Sequence, residues 1–266
     1  MKNNLLSTVL LVLLAFLSLS VTYAQNGKKE KVLKVLTYNI HHANPPSKDG
    51  FIDLSAIAKV INESGADLVA LQEVDVHTQR SGKEVDQAAE LGRLTGMNHF
   101  FVKGIDYEGG EYGVAVLSRF KILKTDSLRL PMKEGIGGEP RVLALITVKP
   151  AKGKKMVFGS THLDLKSETR VLQAEAITAH LQKLNLPVIL GGDFNAKPES
   201  QEIGVFDQHF KRSSIPNGFT IPVTKPNREI DFIMFKPEDR FKVVKHEVIN
   251  EQYASDHLPV YVEFLY

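Results

Sequence analysis

The chain contains no cysteine among its 266 residues. Disulfides, thiolate metal sites and lipid attachment at a cysteine are thereby excluded, so the fold must rest on a conventional apolar core. Strong charge of one sign is missing too. Lys and Arg number 33 against 31 Asp and Glu, and one of the cations, Lys2, stands in a segment expected to be removed. A near-neutral chain has no global field with which to gather nucleic acid, which leaves only local basic patches for that purpose. Low-complexity tracts, long linkers and short-period repeats are also absent. What is present is an ordinary globular composition, 43% hydrophobic and 24% charged, which excludes a disordered chain. At this length a single large domain is the economical reading.

Residues 1–24 carry the pattern of an export signal. Lys2 gives the positive start, "LLSTVLLVLLAFLSLSV" the apolar stretch, and "TYA" before Gln25 a small-residue cleavage site. The stretch is about 17 residues and is broken by Ser and Thr, at the short limit for spanning a bilayer. Retention as a membrane anchor is therefore the lesser reading. Residues 25–31, "QNGKKEK", read as a disordered polar tether, and residues 32–266 as the folded domain. The expected location is the periplasm, the cell surface or the medium.

Apolar runs with strand character recur along that domain: "VLKVLTYNI" (32–40), "ADLVALQEV" (66–74), "YGVAVLS" (112–118), "RVLALITV" (141–148), "KMVFGSTHL" (155–163), "LPVILGG" (186–192), "EIDFIMF" (229–235) and "LPVYVEF" (258–264). Helical patterns lie between some of them. "DLSAIAKVINES" starts at Asp53, spaces Leu54, Ile57 and Ile61 along one face, and stops at Gly65. "SETRVLQAEAITAHLQKL" begins at a capping Ser167 and turns Val171, Ala174, Leu181 and Leu184 inward, while "QAAELGRLTG" is a shorter helix closed by Gly96. Many strands with few helices predict an α+β architecture of two packed sheets with helices outside. Few connections are long enough for a parallel crossover, so the sheets are expected to be mixed and largely antiparallel.

Unexpected polar residues fall at the strand ends. Asn39, Glu73, His162 and the Asp193/Asn195 pair close apolar runs, while Tyr112, Arg141, Asp231 and Asp256–His257 open them. Where neighbouring strands run in opposite directions, one strand's end lies beside the next one's start, so both groups can share one rim. Taken singly, each has an ordinary explanation. "GGDFNA" reads as a turn, Glu73 as solvated, and a lone strand-end His as structural. Together they crowd Glu73, Asp193, Asp231 and Asp256, which is costly unless a cation or bound protons offset the repulsion. Oxygen-rich ligands without thiolate suit a hard ion, Mg2+ or Mn2+. Arg, His and Asn beside such an ion suit a phosphate.

The series "LTYNI", "LQEVD", "YGVAVLS", "PRVLALITV", "STHLD", "GGDFNA", "EIDFIMF" and "SDHLPV" resembles, in order, the motifs of the endonuclease/exonuclease/phosphatase superfamily across residues 34–261. The resemblance implies a four-layer α/β/β/α sandwich with its site on one rim. It also implies metal-assisted attack of water on phosphorus without a covalent enzyme intermediate. By that likeness Asn39, Glu73 and Asp256 belong to the metal site. His257 matches the base-like histidine and Asp231 the carboxylate orienting it. Asp193 and Asn195 match the pair that positions the water and holds a phosphoryl oxygen. His162 matches a second, phosphate-contacting histidine, and Tyr112 and Arg141 match phosphate contacts.

For the substrate, "DFNAKP" and "REIDFIMF" depart from the inositol polyphosphate phosphatase patterns, while "EVDVHTQRSG" with "DQAAELGRLTG" is similar to exported bacterial and lipid-directed members. On that likeness Arg80 and His77 lie beside the mouth as candidate headgroup contacts or as plain solvated loop, and His41 and His42 are candidate pocket-lining residues. The leading expectation is an exported, monomeric phosphodiesterase acting on a phospholipid headgroup or nucleic acid, with no obligatory protein partner. Near-neutral charge weighs against duplex DNA. A phosphomonoesterase on sugar or inositol phosphates is the alternative enzyme. A non-catalytic ligand-binding module on the same fold is the alternative of another class.

Overall fold

Strand β1 (Val32–Asn39) is buried at every position from Val35 to Asn39, as a strand covered on both faces must be. Its coordinates belong to a computed structural model that describes residues 32–150 and 154–266; the expected signal and tether, residues 1–31, lie outside the described residues. Beyond β1, helix α1 (Leu54–Ser64) is capped by Asp53, which accepts from the Ala56 N–H at 3.0 Å, and ends where Gly65 takes a left-handed φ of 63°. The chain then returns as β2 (Leu68–Val76), parallel to β1, with α1 serving as the crossover such a pair requires. Helix α2 (Gln87–Thr95) follows, capped by Asp86 and closed by Gly96. The hairpin of β3 (Asn98–Tyr107) and β4 (Gly110–Ser118) comes next.

The second half repeats the plan. Strands β5 (Ile122–Arg129), β6 (Val142–Val148) and β7 (Met156–His162) pair antiparallel. Helix α3 (Ser167–Gln182) then crosses over to β8 (Val188–Asp193), parallel to β7. Helix α4 (Gln201–Asp207), β9 (Lys211–Arg212) and β10 (Asp231–Lys236) complete this half. The closing strands β11 (Lys242–Val248) and β12 (Val260–Leu265) return to the first sheet. The described residues thus form two six-stranded sheets, ordered β11-β12-β1-β2-β4-β3 and β5-β6-β7-β8-β10-β9. Each has one parallel pair at its centre and antiparallel neighbours outside it, as expected.

Three apolar clusters account for the four layers. Val35, Ala70, Val116, Ala144, Phe158 and Ile233 fill the space between the sheets. Leu36, Val69, Ile57, Ile61 and Leu91 seal α1 and α2 against the first sheet. Ala174, Ile177, Phe194, Phe206 and Phe232 seal α3 and α4 against the second.

Three expectations need correction. Gly191 and Gly192 lie inside β8 and do not make a rim turn. They are small for lack of space: a Cβ on Gly191 would sit 2.9 Å from Ala70 Cβ and 3.0 Å from Thr37 Cβ in the facing sheet, and one on Gly192 would strike the Thr161 carbonyl. Ser167 opens α3 but does not cap it. Lys166 takes the N-cap position, without a side-chain bond. Val171 on that helix is only half-buried. Strands β3, β5, β9 and β11 and helix α4 have no counterpart in the sequence reading; β5 and β11 alternate exposed and half-buried residues at sheet edges, where hydrophobic periodicity fades.

Candidate active site

At one rim β1, β2, β7 and β8 end while β4, β6, β10 and β12 begin, so both sheets deliver their polar strand ends to one place. Asn39, at the end of β1, donates from its Nδ2 to Glu73 Oε1 and to Asp193 Oδ2, each at 3.0 Å. Glu73 reaches that point through a β-bulge. Leu71 opposes Ala115 and Val74 opposes Gly113, so the bulged strand carries one extra residue, and Glu73 takes a left-handed φ of 58°. Asp193 closes β8 and accepts the Asn195 N–H at 2.8 Å, which holds Asn195 in a left-handed turn of φ 49°. Phe194 between them is fully buried against Phe206 and Phe232, ring centroids 5.1 and 5.6 Å away, and anchors the pair.

From Asn195 the network continues to the histidines. Asn195 Nδ2 donates to the Leu163 carbonyl at 2.9 Å and lies 3.0 Å from His162 Nε2. Arg141 Nη1 stands 3.2 Å from the other nitrogen, His162 Nδ1. Arg141, Tyr112 and His162 line one small cleft, and Glu139 pairs with Arg141 at 3.0 Å. His257 Nδ1 meets Asp231 Oδ2 at 2.9 Å, and Nε2 lies 3.7 Å from Asp193 Oδ2. A carboxylate can only accept, so His257 carries a proton on Nδ1.

Burial and neighbours set the charges. Burial pulls the His257 imidazolium down, but the Asp231, Asp193 and Asp256 carboxylates outweigh it and raise the pKa to about 10. Burial and the Asp231 charge raise Asp193 to about 7. His162 is pushed well below its ordinary range by burial, Arg141 and His257, and is neutral. Burial, then the Glu73 charge, raises Tyr112.

The hydrogen-bond balance shows what the site is built to hold. Both nitrogens of neutral His162 face donors, although such a ring accepts at only one. The Arg141 Nε is buried without a partner among the described residues, and His257 is cationic beside them. This surplus of donors fits an oxyanion such as phosphate. On the other side Asp231 Oδ1 is buried without a partner among the described residues, and the close group of Asp193, Asp231 and His257 already holds its own counter-charge in the His257 imidazolium, which has no lone pair left for a metal. His41, His42 and Glu73 form a separate group that could hold a cation. Two imidazoles and one carboxylate fit a divalent ion.

Residues 36–257 match the Endonuclease/Exonuclease/phosphatase family. The chain belongs to that family. Its fold is shared by an endonuclease/exonuclease/phosphatase from Beutenbergia cavernae at 25% identity, with 88% of this chain and 72% of that one covered and a TM-score of 0.76. A family protein from Bacteroides thetaiotaomicron matches at 22% identity, 89% and 98% coverage, and a TM-score of 0.75. A mannosyl-6-phosphatase of the same species matches at 22% identity, 88% and 100% coverage, and a TM-score of 0.71.

Eight of the ten predicted residues form one chain of contacts at this rim, and Tyr112 shares the small cleft of Arg141 and His162. The tenth, Asp256, is half-buried beside them: Ser255 Oγ lies 3.4 Å from its Oδ1, and its side chain is not part of the His41, His42 and Glu73 group. Arg80 is not available as a headgroup contact. Its guanidinium is clamped by Asp75 at 2.7 and 2.9 Å and lies over the rings of Tyr107 and Tyr112, so it holds Tyr112 in place. His77 Nδ1 donates to the Lys83 carbonyl on an exposed loop.

Two supporting residues escaped the sequence reading. Thr220 donates to Asp231 Oδ2 at 2.5 Å, and Ser255 donates to the Asn39 carbonyl at 2.7 Å. Thr220 lies in an irregular loop without periodicity, and Ser255 sits in "SDHLPV" with nothing to distinguish it from a turn residue.

Proposed function

We propose that the protein is an exported phosphodiesterase that uses a divalent ion, Mg2+ or Mn2+, and attacks phosphorus directly with water. The surplus of donors around His162, Arg141 and Asn195, set beside the group of His41, His42 and Glu73, carries this reading. Arg141 and Asn195 hold the phosphoryl oxygens, and cationic His257, steadied by Asp231, supports the charge that develops on them. Asp193, with its pKa raised to about 7, is poised to take a proton from water near neutral pH. His162, neutral at rest and 3.5 Å from Asp193 Oδ2, receives the proton that Asp193 takes from water and releases it to the leaving oxygen, so that it ends neutral again. A divalent ion held by Glu73 and its neighbours would supply Lewis-acid polarisation of the phosphoryl group.

A lipid headgroup is favoured over nucleic acid as the source of the diester. Exposed apolar side chains stand on the loops leaving this rim: Phe51, Met132, Ile136 and Leu165, the last 70% exposed. Duplex binding would call for basic residues at those positions. The second reading, hydrolysis of a sugar phosphomonoester, is supported by the mannosyl-6-phosphatase whose whole length matches this fold.

The deciding experiment is a hydrolysis screen over bis-p-nitrophenyl phosphate, sphingomyelin vesicles, plasmid DNA, and mannose and inositol phosphates. Each substrate is tested with Mg2+, with Mn2+ and with EDTA, and a His257→Ala variant guards against contaminants. Metal-dependent cleavage of the diesters is expected. Cleavage of monoesters alone would establish the second reading, and no cleavage of any ester would leave only a binding module.

A further inference from the structure

We propose that His41, His42 and Glu73 together form the seat of the divalent ion, and that its two imidazoles select borderline first-row ions, Mn2+ through Zn2+, over Mg2+. The inference rests on the metal-dependent reading above and adds ligands and a selectivity to it. One donor atom from each of the three side chains lies within 4.8 Å of the others. The ligands come from two segments that Asn39 ties together. Its Oδ1 accepts the His41 N–H at 3.1 Å while its Nδ2 donates to Glu73 at 3.0 Å.

The hydrogen bonds orient the imidazoles as ligands. His41 Nδ1 lies 2.9 Å from the Asn44 carbonyl, which can only accept, so the proton is on Nδ1 and Nε2 keeps its lone pair. An imidazole that gives one N–H to a carbonyl and leaves the other nitrogen bare is the usual arrangement of a metal-bound histidine. His42 Nδ1 is buried and has no partner among the described residues. The His42 backbone is fixed instead, its carbonyl accepting from Gln87 Nε2 at 2.8 Å. His41, His42, Ala43 and Glu73 all take left-handed φ values, 47°, 41°, 60° and 58°, without a glycine among them. Such a run persists where the surroundings dictate it, and it points these side chains to one place.

A phosphate is the wrong occupant, because the Glu73 carboxylate would repel it. Two nitrogens and one carboxylate oxygen suit a borderline ion, whereas Mg2+ prefers oxygen ligands and keeps its waters.

The test uses Co2+ as a visible-absorption probe on the metal-stripped full chain, with Mg2+ as competitor. Asn tolerates the left-handed backbone, so His41→Asn and His42→Asn keep the loop while removing one imidazole each. Co2+ is expected to give an absorption band that tenfold excess Mg2+ does not displace. Each Asn variant should weaken binding by at least about tenfold, the scale seen even for indirect partners of metal ligands, and should alter the band. His257→Asn, outside this ligand set, should leave the band in place. Unchanged Co2+ affinity and spectrum in both variants at 41 and 42 would overturn the seat, and displacement by tenfold Mg2+ would overturn the selectivity. Hydrolysis assays separate this inference from the hydrolase reading: Asn variants that bind Co2+ normally and still cleave bis-p-nitrophenyl phosphate refute the seat alone. A wild-type chain with the expected band but no cleavage refutes the hydrolase alone.

Discussion

Asn39 Nδ2 and Asp193 Oδ2 are 3.0 Å apart although 154 residues separate them in the chain. The bond joins the end of β1 in one sheet to the end of β8 in the other, and the same amide also donates to Glu73. One NH2 group therefore stands between two carboxylates. Replacing it, as in Asn39→Ala, removes the donor and leaves Glu73 and Asp193 facing each other. Asp193, already raised to about 7 by burial and the Asp231 charge, should then titrate higher still in the metal-free protein. Carboxyl-carbon NMR reads this directly, and an unmoved midpoint would show that the amide does not tune Asp193.

The Asp193 carboxylate should itself be a cost to folding. Its folded pKa of about 7 lies above the ordinary 3.8, so the folded state holds the proton more tightly. The stability it contributes is present below the unfolded value and is lost as pH rises through about 7. Asp193→Asn should therefore gain urea stability over wild type at pH 8 and show little gain at pH 4. The same change should cut hydrolysis by about 10²–10⁴-fold, the range for loss of a general base. A variant less stable at pH 8 would contradict the assignment.

His257 runs the opposite way in charge but with the same sign in stability. Raised to about 10, it stays protonated in the metal-free fold well above the ordinary 6.5. Its contribution is full below 6.5 and is lost as pH rises through about 10. Imidazole NMR at pH 8 should find this ring charged, and Asp231→Asn should bring its midpoint down by removing the nearest carboxylate. A ring already neutral at pH 8 in the wild type would refute the charge assignment.

The sheet interior allows a simpler test. A Cβ on Gly191 would meet Ala70 Cβ at 2.9 Å and Thr37 Cβ at 3.0 Å, all three in strands that cannot move independently. Gly191→Ala should cost about 1–3 kcal/mol by overpacking. Ala70→Gly in the same chain should return part of that loss in urea melts. Equal loss in the double variant would point to a backbone cause.

The placement of the site was legible because the chemistry lies where periodicity stops. Asn39, His162 and Asp193 each follow a run of buried strand residues, so a polar residue there stands out. The two helices with Asp caps and Gly stops were legible for the same local reason. What could not be read is set by non-local geometry. The bulge that aims Glu73 depends on pairing with β4, 40-odd residues on, and "LQEVD" looks the same with or without it. Gly191 and Gly192 resemble turn glycines because the clash that requires them comes from the opposite sheet and the neighbouring strand. Arg80 resembled a free surface cation because Asp75, its partner, reads as one more polar residue at a strand end, although it is fully buried.

That buried partner makes Arg80 the most exacting of the positioning residues. Asp75 accepts from Thr78, Ser81 and both arms of the Arg80 guanidinium, which lies 5.4 Å from the centre of the Tyr112 ring. Arg80→Met keeps the apolar stem but leaves the Asp75 charge buried and unpaired, which should cost about 3–5 kcal/mol. Arg80→Lys should recover little, because a single ammonium cannot reproduce the two-armed contact or the stacking on tyrosine. Adding Asp75→Asn to Arg80→Met removes the stranded charge and should restore most of the stability. It should not restore substrate binding, since Tyr112 still lacks the cation over its ring. The double variant is thus expected to unfold near the wild-type urea midpoint while showing a raised KM and a less affected kcat. A double variant with wild-type KM would show that Arg80 serves the fold alone.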